Sequence, residues 1–420
     1  MAPGTVSPRP TPAPARAGVA GKAGFRWWIL GMTTTTQLAA ALASQGIGVW
    51  GPHARHVLQL SHRELGLLAS LLNGVPVVAL LFIGPLLDRC GERLPVFIGM
   101  AIMSAGLLLM GSAGHYGILA VAMLLIGLGY SPIQPAGGKA IYQWFPPRQR
   151  GLAMGLRQAA LPMGGACAAA FFPFMIGHAG WPATMMAASA ILAAVGLCHL
   201  ALFRNARRTP PAARQSRLAL ADLFRQVPFR RVAIVGMAMV GVQTAIAVFW
   251  AVLVHQRFGL SVQSAAWHLF AVQAGGALGR IAMSTLSDHV PDGKRRMVLL
   301  CALLTFCALL ATLALPRQGH GSAVLACSLV AGVFGFGWYG PWVVWLSDCA
   351  APDQIGRVLA IALAANQAAI AAVPLAFGTL LDVLPSATGW LALGGLLVLA
   401  LHVGRTPKAI ATPPAPSRLR

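Results

Sequence analysis

The sequence predicts an all-α membrane protein of twelve transmembrane helices, arranged as two six-helix repeats of the same orientation. Three observations predict it. The 420 residues are 57% apolar and only 10% charged, with a mean hydropathy of +0.71, whereas a soluble domain carries about 25% charged residues. The apolar residues gather into runs of bilayer-crossing length: the hydrocarbon core is about 30 Å thick and a helix rises about 1.5 Å per residue, so roughly 20 residues suffice. Finally, landmarks of the first half recur in the second.

Taken in order, the runs fall at about 27–50, 64–87, 94–112, 117–141, 151–176, 180–203, 231–254, 264–287, 297–316, 322–346, 356–381 and 386–404. Inside lipid every backbone N–H and C=O must be satisfied within its own segment, so the runs read as helices. The first is a retained helix rather than a cleaved signal peptide. Its leader is 26 residues long, and its apolar run exceeds the usual stretch of about 7–15. Residues 1–25 are rich in Pro, Ala and Gly and read as a disordered tail. The halves are then 26–203 and 231–404, joined by a basic linker at 204–230 and followed by a second tail at 405–420. The spans leave no room for a soluble catalytic domain, so an enzyme is not expected.

The repeat is visible at an offset of 200. Leu60-Ser61 falls on Leu260-Ser261, each opening a helix, and Asp88 falls on Asp288, each closing it. At an offset of 205, Gly127, Pro147, Gln149 and Gly151 fall on Gly332, Pro352, Gln354 and Gly356. Parallel repeats of this kind build transporters whose substrate site lies between the halves near the midplane.

Net charge is +22, which could suggest nucleic acid. Location excludes it. Of the 31 Lys and Arg, 24 fall in the tails and the links on one side, four in the links on the other, and three within spans. Cytoplasmic links carry the basic excess, so both termini are expected in the cytoplasm of a cell bounded by a plasma (inner) membrane. The seven cysteines form no CxxC pair and read as small buried hydrophobes. No His/Asp/Glu cluster suits a metal, and no P-loop is present, so neither a cofactor nor ATP is expected.

Three cations lie within spans: Lys139, Arg157 and Arg280. A charge at mid-helix costs about 2.5–3.5 kcal/mol even on lenient scales, so each calls for a partner or a role. Arg280 shares a helical face with Gln273, Ser284 and Ser287, a polar stripe suited to a watery cavity. Arg157 and Lys139 lie nearer the basic side, where long side chains can snorkel. None of the nine Asp and Glu lies mid-span. The expected cavity is therefore electropositive, and a small organic anion is its natural ligand, since Arg offers a planar fork for carboxylate. Thr34, Gln37, Ala41, Ser44 and Gly48 form a small-polar stripe on the first helix, and Gln134, Gln243, Asn366 and Gln367 are further candidate contacts. For each of these, an ordinary interhelical hydrogen bond is the competing role. Trp338 could pack on a ligand, whereas Trp345 reads as interfacial. His199 and His268 could relay protons.

The stretch GPLLDRCGER, residues 84–93, resembles the loop between the second and third helices of the major facilitator superfamily. Gly84, Asp88, Arg89, Gly91 and Arg93 carry the likeness, and Glu92 departs from the basic residue usual there. STLSDHVPDGKRR is a degraded second copy around Asp288, and RQRGLAMG and QIGRVLA are similar to the same family. The resemblance covers about residues 26–404. It implies a secondary transporter, working as a monomer by alternating access, in which the loop residues latch the halves with the cytoplasmic side closed. Gly279-Arg280 resembles the monocarboxylate and oxalate branches. Three readings follow: symport of an organic anion with protons, export of hydrophobic or amphipathic drugs, and a membrane sensor that uses the fold without transport.

Overall fold

The computed structural model describes residues 23–205, 226–317, 321–349 and 355–405. Most of both expected tails and most of the basic linker lie outside the described residues. Among the described residues twelve helices cross the bundle. They are α1 (Ala23–Gln45, continued by Ile47–Leu58), α2 (His62–Cys90), α3 (Arg93–Gly111), α4 (Tyr116–Tyr130 and Ile133–Trp144), α5 and α6 (within Pro147–Leu202), α7 (Val227–Phe258), α8 (Val262–His289), α9 (Gly293–Ala314), α10 (Gly321–Gly337 and Tyr339–Ser347), α11 (Ile355–Val383) and α12 (Ser386–Arg405). The first helix begins at Ala23 and α7 at Val227, inside the expected tail and linker.

α5 and α6 run together as one helical stretch broken at Gly180, whose φ of 77° and ψ of 173° lie in a region essentially reserved for glycine. The breaks in α1, α4 and α10 have no counterpart in the hydropathy pattern. Two helices are less apolar than the other spanning segments: Ala23–Gln45 and Val262–His289. They carry the polar stripes of Gln37 and of Gln273 and Arg280, the signature of a helix facing polar surroundings on one side. Large apolar side chains such as Phe82, Val78, Leu108 and Leu278 lie exposed on the outer surface, as a lipid-facing bundle requires. Four cysteines, Cys90, Cys167, Cys198 and Cys307, are also exposed rather than buried.

The helix openings bear out the repeat. Ser61 and Glu64 form a capping box at the start of α2, and Ser261 accepts from the Ser264 N–H at the start of α8. The halves meet along three seams: α2 on α11, α5 on α8, and α1 on α7. Each is built on glycine. Gly66 abuts the backbone of Pro374, Gly165 abuts Gln273, and Gly48 abuts the carbonyl of Ala247. Helices driven together without a hydrophobic force rely on such close approach. Ala41 of the polar stripe packs on Gly164, so part of that stripe is a packing seam.

Closure is one-sided. At the face opposite the chain ends, Asp382 at the end of α11 accepts from His62 N (2.9 Å), Arg63 N (2.8 Å) and His62 Nδ1 (2.7 Å) at the start of α2. Leu375 N donates to Ser70 Oγ further along the seam. At the other face, the lower half of α4 packs on α1 and α5, and that of α10 packs on α7, α8, α9 and α11. Asp88 and Asp288 are largely exposed there, each paired within its own half.

Candidate functional site

Two buried arginines lie at the α5–α8 seam, Arg280 bonding the backbone of the residue after Arg157. Arg157 is 1% exposed and Arg280 7%. Arg157 Nη1 donates to Gln134 Oε1 (3.2 Å), and Nη2 donates to Gln37 Oε1 (3.0 Å) and to the Ile133 carbonyl (2.8 Å). Gly137 lies directly against its guanidinium, with no space for a Cβ. Ile133 and Gly137 both lie in the opening turns of the second α4 segment, which restarts at Ile133 after the break at Tyr130. Arg280 crosses from the second half to the first, donating from Nη1 to the Gln158 carbonyl at 3.0 Å. Its guanidinium carbon stands 5.3 Å from the centre of the Tyr339 ring. The Nε of each arginine is buried without a hydrogen-bond partner.

Among the described residues every ion pair lies near a face of the bundle, and none involves Arg157 or Arg280. A buried arginine without a carboxylate retains an unneutralised charge in a low-dielectric setting. That arrangement is chemically suited to an anion arriving from outside.

The other sequence candidates divide. Gln37 and Gln134 join the arginine site, and both side-chain amides also donate to the Tyr130 hydroxyl, at 3.0 and 3.3 Å. Gln273 is buried beside Gly165 with both amide atoms unpartnered, and Asn366 is likewise buried and unpartnered. Gln243 instead accepts from Trp338 Nε1 at 3.0 Å, and Trp338 is fully buried. Gln367 donates to the Asn73 carbonyl across the α2–α11 seam. Lys139 stands apart from the arginines: its ammonium donates to Asp88 Oδ1 and the Leu87 carbonyl, both at 2.8 Å, with Glu92 Oε1 at 3.5 Å. His268 faces Ser328, itself bonded to Trp250.

Sequence reasoning missed Tyr130 and Tyr339. A signal was present: each tyrosine stands two positions before a proline, in Tyr130-Ser131-Pro132 and Tyr339-Gly340-Pro341, beside the break of its helix.

The loop at 84–93 has a distinct geometry. Gly91 closes α2 with φ 77° and ψ −174°, a conformation a side chain would strain. Asn205, after α6, accepts from the N–H groups of Glu92 and Arg93, both at 3.0 Å, and so caps α3. Arg93 Nε donates to the Leu200 carbonyl. Gly84 lies on α2 with open space around it. Asp288 pairs with Lys294 at 2.7 Å.

Among the described residues twelve helices, most of them apolar enough to cross a membrane, form two like halves closed at one face around buried cations, the build of a multi-pass membrane transporter. The family model of the Major Facilitator Superfamily matches residues 33–374, and the chain belongs to that superfamily. An uncharacterized MFS-type transporter of Mycobacterium tuberculosis is 29% identical over 411 residues, covering 94% of this chain and 88% of that one. A probable L-galactonate transporter of Escherichia coli is 30% identical over 151 residues, 36% of this chain and 33% of that one. Among solved structures, a bacterial homologue of the human lysosomal transporter Spinster, in an inward-facing and occupied conformation, superposes with a TM-score of 0.77. It is 15% identical, and the match covers 91% of this chain and 97% of that one.

Proposed function

We propose that this chain carries a small organic anion of the carboxylate type, coupled to protons, by alternating exposure of a site between its halves. The observation that carries the reading is the pair Arg157 and Arg280. They sit on facing helices of opposite halves, both buried, with no carboxylate partner among the described residues. An anion between them neutralises charge that the protein leaves exposed to its own low dielectric. Because the arginines belong to different halves, the same anion ties the halves together when bound. Gln37, Gln134, Gln273 and Asn366 offer amides for substrate hydroxyls, and the L-galactonate transporter among the relatives makes a sugar acid the first substrate to try. Gln243 and Lys139 would act at the margins of this site.

In this reading Gly84, Asp88, Arg89, Gly91, Arg93 and Asp288 form the latch for the opposite closure. Asp88 exchanges its bond to Lys139 for a contact with the second half when the chain-end face shuts. The concentration of basic residues around the chain ends supports a cytoplasmic position for both termini. The purified protein should be screened by thermal shift against sugar acids, short mono- and dicarboxylates and cationic dyes, followed by counterflow of the best ligand in proteoliposomes. Stabilisation by dyes and not by any acid would overturn the proposal.

A further inference from the structure

The arginine site contains no carboxylate among the described residues that could take up a coupled proton. A different pair of buried groups can. Glu92 is 2% exposed and His199 1%, and both line one cavity with Thr33, Thr36, Val96, Ile133, Ala136, Gly137 and Phe203. The cavity has room for about one water. Glu92 Oε1 and His199 Nε2 are both buried without a hydrogen-bond partner.

The histidine tautomer follows from its neighbour. Thr36 Oγ1 donates its only hydrogen to the Met32 carbonyl at 2.8 Å. It must therefore accept from His199 Nδ1, 3.1 Å away. With the hydrogen on Nδ1, Nε2 carries a free lone pair, so a basic nitrogen and a carboxylate oxygen are enclosed together. The charged groups around them are Lys139 from α4, 3.5 Å from Glu92 Oε1, and Asp88 from α2, which shares that lysine. Arg93 from α3 reaches the residue following His199, and Arg204 stands over Phe25 near the start of α1, which also carries Arg26.

The cavity backs directly onto the arginine site. Ile133 and Gly137 form its wall, and the same two residues hold Arg157 on their other side. On α1, Thr36 bonds His199 while the next residue, Gln37, bonds Arg157.

We propose that Glu92 and His199 form a buried proton-binding site in the first half, one helix away from the anion site, and that Lys139 and Asp88 respond to its occupancy. A proton entering the cavity is shared between Glu92 Oε1 and His199 Nε2 through one water. It cancels the negative charge of Glu92, releasing Lys139 to Asp88 alone. Proton occupancy thereby sets the strength of the contact that Asp88 must break to latch the halves. The departure of the 84–93 loop from its family pattern at Glu92 acquires a purpose.

The inference rests on the reading of proton coupling but not on the identity of the anion, so the site itself is tested without any organic acid. Full-length protein in lipid nanodiscs is titrated with pH while difference infrared spectra record the C=O stretch of protonated carboxyls. Wild type should show a titrating buried carboxyl, lost in Glu92→Gln. In His199→Phe and in Thr36→Val its midpoint should move by about one pH unit, a tenfold change in proton affinity. Persistence of the band in Glu92→Gln overturns the site. An unmoved midpoint in both His199→Phe and Thr36→Val overturns the pairing, and those two variants decide the matter if Glu92→Gln does not fold. An intact titration alongside uptake that ignores a pH gradient would sink the coupling reading and leave the site standing.

Discussion

Arg280→Gln separates a ligand-binding arginine from a structural one, because the two roles predict losses in different measurements. Without ligand, the buried charge costs about 2.5–3.5 kcal/mol. Against this stand one charged hydrogen bond to the Gln158 carbonyl, about 1.5–3 kcal/mol, and the stacking over Tyr339, about 0.5–2 kcal/mol. These contributions nearly cancel, so the unliganded variant should melt close to wild type. Binding is different. Loss of one charged hydrogen bond to the anion removes about 1.5–3 kcal/mol, which lowers affinity roughly 10- to 150-fold. Arg280→Lys should fall in the same range, since it keeps the charge but loses the planar fork. The assay is thermal shift and equilibrium binding of the best organic acid at fixed pH, on wild type and both variants. Unchanged affinity in Arg280→Gln refutes the reasoning, as does a large loss of unliganded stability with affinity preserved.

Further outcomes follow from other contacts. Gly137→Ala places a methyl group against the Arg157 guanidinium; overpacking should cost about 1–3 kcal/mol and weaken anion binding, read by melting and binding together. Asp382→Asn weakens three hydrogen bonds that hold α2 to α11. Because the site is partly exposed, the loss should be about 1–3 kcal/mol, shifting the closed-to-open ratio at that face roughly 5- to 150-fold. Labelling of a reporter cysteine at Asn366 by an impermeant maleimide, with the native cysteines replaced, measures that shift. Asp88→Asn breaks an exposed pair with Lys139 worth about 0–1 kcal/mol, so stability should hardly change while counterflow falls. Full counterflow in Asp88→Asn would reduce the loop to a topological signal.

The sequence by itself determined the membrane class, the repeat and the rarity of buried charge. Each is a matter of composition and spacing, and a bilayer imposes both on every segment separately. Arg157 and Arg280 were legible because a cation within an apolar run is costly wherever the helix ends up. Partnership was not legible. Lys139 and Arg157 look alike in the sequence, yet one pairs with Asp88 and Glu92 near the bundle's edge and the other is enclosed by Gln37, Gln134 and Ile133. Only the crossing of α1, α4 and α5 decides between them. The breaks at Tyr130 and Tyr339 escaped for the same reason: a helix can part beside a Ser-Pro or Gly-Pro pair without any change in hydropathy. Tertiary structure alone enclosed Glu92 with His199, since a residue read as a loop charge is buried by α1, α4 and α6 closing over it. Residues more than one hundred positions apart share that cavity, and no local pattern encodes which of them will meet.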